Sequence, residues 1–533
     1  MKTNSMPIKL TITNLSANEF ILFFSLFTFF IIQKLPFILH NGEINPDESQ
    51  MLTQAITLEF DPVFWRSVDG TTSGPINSYL LLLLEYIGFP FNYSTLHLFS
   101  VTLTITSLAI TYFTLRIFLP FNVSFPSLFI IYSFFFFTNH RDFNHFNSEL
   151  PSVMLLTTGV FILAKVYYKK QSSPLMYGAL GVICCLVPLA KLQGAPLAFL
   201  YITFAIFNLT GSKINKFDKL IGIVSIGIGS GLVGGLLLYY LFQNKLIYDF
   251  YIMYVKTNLV HNNPGNSLML FIKLIFKSSY DFLFFFTFSI SIWVSSVFTT
   301  IRNKTNLLDN KVLWFLIINL IISFFVIART GYIFEHYLYY TFFPITLLNA
   351  FFINQLVKSE NLKKYSEIIF SIVALIFFTG LAITNYLKYS SKNQSFSASH
   401  TPLYEDKVIN LINQYAKPTD CIVVWGWNLN YHVLTGLRQG TRENHSIRCM
   451  NTNSLGAIRD LKLVDYYRQQ YVDDMKRNKP VVFIDEVEAN SFFINPKMVV
   501  HQNIPVLRNY VASNYKLVSK ESGVSVYVRK DRI

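Results

Sequence analysis

Two adjacent carboxylates, Asp47 and Glu48, lie in the run Asn45-Pro46-Asp47-Glu48-Ser49-Gln50, just past the first long apolar stretch of the chain. Carboxylates this close raise the proton affinity of one of the pair, which favours a base poised above its ordinary range. An acidic pair is costly to hold at the edge of hydrocarbon, so it marks a candidate site. The same pair could instead cap a surface helix, whose N-terminus favours acids. A third acid, Glu149, closes the polar run from Asn139 to Glu149. Cations complete the set. Lys191 opens Lys191-Leu192-Gln193-Gly194-Ala195-Pro196, a break inside apolar sequence. A lysine there needs a partner, an anionic ligand such as phosphate, or reach to the headgroups. Arg329 and His336 flank Gly331 at the end of another apolar run, and a guanidinium fork matches phosphate oxygens. Lys256, His261 and Arg141 are weaker candidates. Tyr332, Tyr337, Tyr339 and Tyr340 read as an interfacial aromatic belt.

The elements that must position these residues are membrane spans. The chain has 533 residues, 52% of them hydrophobic and only 14% charged, where soluble domains run at roughly a quarter charged. Mean hydropathy is +0.39. Apolar runs of roughly 17 to 25 residues, the length that crosses a bilayer as helix, recur from Phe20 to Leu387. The net charge of +14 does not indicate nucleic acid. Much of it is Lys and Arg in short loops between spans, where it reports orientation. The 53 Phe and 31 Tyr suit lipid-facing and interfacial surfaces. Cys184 and Cys185 read as core, while Cys421 and Cys449 could pair if the tail faces an oxidising compartment.

Along the chain, the basic N-terminal segment is expected to be cytoplasmic, followed by a retained span at about Phe20 to His40. The acidic loop 41–75 then belongs outside. It ends in Asp69-Gly70-Thr71-Thr72-Ser73-Gly74-Pro75. Three apolar segments follow, near Ile76–Ile87, Thr95–Leu119 and Ser124–Thr138. If all three crossed, the lysines at 165, 169 and 170 would fall outside, against the positive-inside rule. One of the two shorter segments is therefore expected to be re-entrant or partial, which puts Glu149 on the face of Asp47. The remaining spans alternate, with Leu268–Lys277 interfacial and Ile368–Leu387 the last. All lysine-rich loops then lie on one side and all His-bearing loops on the other.

From about Tyr389 the composition is that of a soluble unit. Cys421–Gly426 and Pro480–Asp485 read as buried strands, Val464–Asn478 as a helix, and Tyr515–Lys520 with Val524–Arg529 as a closing strand pair. The fold class expected is thus a polytopic α-helical membrane protein with about 11–12 membrane segments over residues 1–388. A small extracytoplasmic α/β domain over 389–533 follows.

Taken in order, the acidic pair after the first span, Gly74-Pro75, the second acidic loop, the Lys191–Pro196 break and His336-Tyr337 resemble the GT-C superfamily of integral-membrane glycosyltransferases. They are most similar to the glycosyltransferase family 39 group of protein mannosyltransferases and aminoarabinose transferases. In the tail, Val424-Trp425-Gly426, Tyr431 to Arg438 and Thr441-Arg442 also look like the outer domain of bacterial members. The resemblance implies transfer of a sugar from a polyprenyl-phosphate donor to a glycan, lipid or protein acceptor on the outer face of a bacterial inner membrane. It implies Asp47 as base with Glu48 beside it, and Glu149 orienting the acceptor. Lys191, Arg329 and His336 would hold the donor phosphate. The sequence departs from the family at Asn144, where an Arg is usual five residues before the second-loop acid, and Arg141 or His145 stand nearby as substitutes. No cofactor or metal is expected, although Mg²⁺ or Mn²⁺ would suit first-loop carboxylates. The alternative is a lipid-linked sugar transporter or flippase, which tends to place its charges near the midplane between repeated halves.

Overall fold

The computed structural model describes residues 17–169, 173–260, 280–302, 310–330, 334–358, 403–450, 460–489 and 495–533, with a few isolated positions between them. Eight helices in these segments are long and apolar enough to cross a membrane. The chain is a multi-pass membrane protein. The first helix, α1 (Ala17–Ile38), is followed by α2 (Pro46–Phe60) and α3 (Pro75–Tyr86) in the loop after it. Then come α4 (Tyr93–Phe118), α5 (Phe121–Phe137), α6 (Glu149–Lys169), α7 (Pro174–Ala190), α8 (Ala195–Gly211) and α9 (Lys216–Gln243). After a helical segment with a π-turn at Phe250–Lys256 come α10 (Tyr280–Arg302), α11 (Lys311–Ala328) and α12 (Tyr339–Lys358). The segments expected at 268–277 and 368–387 lie mostly outside the described residues.

The parity conflict in the sequence has a physical answer in α3. Its 12 residues rise about 18 Å, well short of roughly 30 Å of hydrocarbon. The helix turns back after Gly88, whose φ of +98° suits glycine. Glu149 and Asp47 consequently meet at one end of the bundle. The basic ends of α4, α6, α8, α10 and α12, carrying Arg116, Lys165, Lys213, Arg302 and Lys358, lie at the other. Two spans sit centrally: α6 and the span ending in α12 each have 67% of their apolar window buried, against 22% for α9. Many of the phenylalanines fill this centre. Phe134 and Phe342 pack ring to ring with Phe143 of the second loop, with Phe285 against both of them, holding that loop against the bundle.

The tail forms a five-stranded sheet in the order β2-β1-β3-β5-β4. Strands β1 (Cys421–Trp425), β2 (Arg438–Gln439) and β3 (Val482–Asp485) are parallel, while β4 (Tyr515–Glu521) and β5 (Val524–Arg529) close the sheet as an antiparallel pair. β1 and β3 are buried along their whole length, as continuous apolar runs require. Cys421 and Cys449 are both free and buried, so the pairing left open above is not made. His432, in the expected motif, is a core residue. Burial pulls its pKa down to about 4, and one ring nitrogen lies 2.9 Å from the Leu437 carbonyl oxygen.

The tail packs directly on α2. Arg448 pairs with Asp69 at 2.7 Å, the Arg442 carbonyl accepts from the Asp69 N–H at 2.7 Å, and Asn444 donates to the Gln50 carbonyl at 3.1 Å. Residues 48–58 of α2 are buried between tail and bundle as a result.

Candidate functional site

Local sequence sets the start of α2. Asn45 is the N-cap and Pro46 the first helical residue, and Asn45 and Glu48 form a capping box, which satisfies the free N–H groups of the first turn. The Glu48 Oε2 atom accepts from the Ile44 and Asn45 N–H groups at 2.8 and 3.3 Å. Its Oε1 accepts from the Phe146 N–H at 3.0 Å and faces His97 Nε2 of α4 at 3.0 Å. Burial would raise the Glu48 pKa, but the charge and hydrogen bond of His97 outweigh it and hold the carboxyl below its ordinary value. Glu48 is therefore fully engaged as a clamp between the first and second loops. Asp47 is the member of the pair left open, with 33% of its side chain exposed.

Opposite Asp47 lie the second loop and the start of the last central span. His336 Nε2 is 4.0 Å from Asp47 Oδ2, and its Nδ1 is 3.8 Å from Asp142 Oδ2. Asp142 also accepts from the Glu335 N–H at 3.1 Å. Burial pushes the Asp142 pKa up, but the nearby His336 ring, with His145 and His140 behind it, keeps it well below the carboxylate range. His145 is buried, with Nδ1 2.9 Å from the Arg141 carbonyl oxygen. Asp47, His145 and His336 each offer an atom to a group whose donors lie within 4.8 Å of one another.

Behind this cluster sits a buried ion pair. Lys191 Nζ lies 2.7 Å from Glu149 Oε1, with both side chains at most 5% exposed, and donates to Ser148 Oγ at 2.6 Å. The break at Lys191 and the Gly74-Pro75 turn form one joint. The Gly74 N–H donates to the Ala190 carbonyl at 2.9 Å, and a β-carbon on Gly74 would meet the Leu189 carbonyl oxygen at 1.9 Å. Only glycine lets the first loop approach this closely.

The structure brings together Asp47, Glu48, Glu149, Lys191 and His336. It leaves others outside. Arg329 is exposed at the end of α11 and, like half-buried Lys256, makes no ion pair among the described residues. Arg141 is exposed, its side chain 3.6 Å from Asp142. His261 lies outside the described residues. Of the tyrosines expected as an interfacial belt, Tyr332 lies outside the described residues, and Tyr337, Tyr339 and Tyr340 are instead buried around the site. Tyr339 donates to the Phe143 carbonyl at 3.0 Å and Tyr340 to Ser152 at 3.1 Å, while Lys191 lies over the Tyr337 ring. The hydroxyls of Tyr339 and Tyr340 reach partners inside the protein, so the headgroup region is not needed to satisfy them.

Several contributors were missed from the sequence. Lys34 of α1 is buried and donates to the Thr138 carbonyl at 2.8 Å and to Asn144 Oδ1 at 2.7 Å. A cation thus does stand at Asn144, supplied by a different helix. A lone lysine inside an apolar span was the available signal. His97 and Asp142 carried no comparable one, since a single polar residue in a helix or loop reads as packing or solvation.

No family model matches the sequence, and no curated protein matches it. By structure, the chain is similar to ArnT from Cupriavidus metallidurans in the apo state. The TM-score is 0.58 at 12% identity, covering 96% of this chain and 97% of that one. The same protein bound to undecaprenyl phosphate matches with TM-score 0.56 at 11% identity, over 96% and 98% of the two chains. The oligosaccharyltransferase of Archaeoglobus fulgidus matches less closely, with TM-score 0.45 at 10% identity, over 96% of this chain and 74% of that one. The chain has the GT-C-type membrane fold.

Proposed function

We propose that this GT-C-type chain is a glycosyltransferase that takes a sugar from a polyprenyl-phosphate donor, with Asp47 as the base. One observation carries the reading. Of the four carboxylates Asp47, Glu48, Asp142 and Glu149, the last three are at most 9% exposed at the side chain and are paired, while Asp47 is 33% exposed. An acceptor hydroxyl can reach Asp47 and no other of them. The likeness to a protein whose structure holds undecaprenyl phosphate supports the donor class.

In this reading the acceptor oxygen attacks the anomeric carbon as Asp47 takes its proton. The bond from that carbon to the phosphate oxygen breaks, and its electron pair leaves with the phosphate. Direct attack inverts the anomeric centre. Positive charge must stabilise the departing phosphate: the His336 ring stands at the site, and Arg329, exposed at the end of α11 and outside the cluster, is the further cation this reading calls on. Glu48 and His97 act as positioning residues, because they fix the turn that presents Asp47. The tail acts through α2, which it covers. The bundle end that carries the site is assigned to the outer face of the membrane, because the basic helix ends lie opposite.

The test is a panel of radiolabelled polyprenyl-phosphate sugars supplied to membranes containing the protein. Label appearing in an acceptor supports the reading. Intact labelled lipid crossing the bilayer with no transfer would replace it with a transporter.

A further inference from the structure

We infer that the end of the bundle opposite Asp47 carries a site for one anionic phospholipid, its acyl chain between the spans and its phosphate at Lys311 and Lys358. The first support is a cavity of about 120 Å³ bounded by α4, α6, α8, α11 and α12. Its inner wall includes Leu163, Leu316 and Leu347, all buried. Phe118, Tyr167 and Val312 line it nearest the helix ends and are not buried, so the cavity opens there. From Tyr167 to Val160 the wall runs about 10 Å along α6.

The wall selects hydrocarbon. Thr114 turns its hydroxyl to the Ile110 carbonyl at 2.8 Å, and the other polar wall residues, Tyr167 and Asn354, stand at the mouth. An apolar cavity of about 150 Å³ engineered in another protein stays dry and takes benzene. This one therefore has room for a short run of methylene groups. Acyl chains are the hydrocarbon that the surrounding bilayer offers at this depth.

The second support is charge. Lys311 precedes Val312, and Lys358 stands one turn beyond Asn354, which places both beside the mouth. Both are exposed, and neither has an ion pair among the described residues. The Lys311 amine lies 5.2 Å from the centre of the Phe207 ring, one turn from Phe204 of the wall. Arg116 is engaged elsewhere: it pairs with Glu19 at 3.1 Å and donates to the Leu119 carbonyl at 2.9 Å. Basic pockets between spans hold anionic headgroups, and each lysine near the surface adds to the attraction. The occupant is not the sugar donor of the proposed reaction. Glu149, at the Asp47 end, and Tyr167 lie about 27 Å apart along α6, which keeps a phosphate here far from Asp47. The lipid site thus does not rest on the glycosyltransferase reading.

The experiment adds phosphatidylglycerol, phosphatidylcholine of the same chain length or undecaprenyl phosphate to the delipidated, full-length protein in detergent. The thermal midpoint and the bound lipid count by native mass spectrometry are read together. Wild type should retain one phosphatidylglycerol and gain midpoint with its concentration, as ligand linkage requires. Phosphatidylcholine at the same concentration should do neither. Ala164→Phe, which fills the cavity from α6, should abolish retention. Lys311→Gln combined with Lys358→Gln should weaken phosphatidylglycerol binding roughly 10- to 30-fold. Because Ala164→Phe can fail through misfolding, the wild type and the double lysine variant, changed only at exposed positions, carry the test. An equal response to both phospholipids, a double lysine variant that binds as the wild type does, or retention of undecaprenyl phosphate in preference to phosphatidylglycerol would overturn the site.

Discussion

Replacing Lys191 with methionine should be among the most damaging single changes in the membrane half. Its amine lies 2.7 Å from Glu149, the two side chains are 5% and 1% exposed, and among the described residues Ser148 is the other hydrogen-bond partner of the amine. In Lys191→Met the buried Glu149 carboxyl loses its counter-ion. Breaking one side of a buried pair costs about 3–5 kcal/mol, whereas removing both charges is often close to neutral. The single variants Lys191→Met and Glu149→Gln should each lower the thermal midpoint in detergent by several degrees. The double variant should recover most of the loss, giving a coupling energy of at least about 2 kcal/mol. The assay is a double-mutant cycle on the fraction still monodisperse after heating. Single variants as stable as the wild type, or a double variant as unstable as the sum of the two, would refute the pairing. The same result would reopen Lys191 as a free phosphate ligand.

Other expectations follow from particular contacts. Burial pushes the Glu43 carboxyl from the ordinary 4.5 up to about 7, with Ser49 offsetting it and Glu48, Glu405 and Asp47 adding to it. Ser49 has a single hydroxyl hydrogen and the Pro46 carbonyl beside it accepts, so the close contact with Glu43 also fits a protonated carboxyl. An acid raised in this way stabilises the folded state fully below its unfolded pKa, and the gain is lost as pH climbs through about 7. Thermal midpoints of the wild type should thus fall between about pH 4.5 and 7 relative to Glu43→Gln. Gly74→Ala would force a β-carbon onto the Leu189 carbonyl oxygen, at or beyond the upper end of the roughly 1–3 kcal/mol usual for overpacking. Yield of folded protein on size exclusion checks this, and an unchanged yield contradicts the close joint. Arg448→Met would leave Asp69 buried without its partner and loosen the tail from α2, so limited proteolysis should release the tail faster than in the wild type.

How much of this was legible in the sequence depends on the kind of signal. The spans and the tail strands at 421–425 and 482–485 announced themselves, because burial on both faces demands continuous apolar runs, and the pair at 515–521 and 524–529 did so as two β-rich runs joined by a short turn. The re-entrant α3 was legible only through charge parity, which excludes a crossing without locating it. Asp47 and Glu48 stood out as a pair, but their division of labour did not. It depends on Asn45, Ile44 and Phe146 all claiming Glu48, and the last of these is 98 residues away. Lys191 and Glu149 were each visible as an ionisable residue beside a break. That they neutralise one another follows only from the packing of α6 against α7. The tyrosines at 337–340 were misplaced, because an aromatic run at a span end looks alike whether it faces headgroups or a site. The meeting of Asp47, His145 and His336 has no local signature, since the three come from three separate segments.

The measurement that tests the central claim most directly is single-turnover sugar transfer by wild type and Asp47→Asn from the donor that the panel identifies. Retention of labelled polyprenyl phosphate is measured on the same preparations. Loss of general-base catalysis predicts a fall of roughly 10²- to 10⁴-fold in the transfer rate, with lipid binding unchanged. Transfer by Asp47→Asn within a few-fold of the wild type would contradict the assignment of Asp47 as the base.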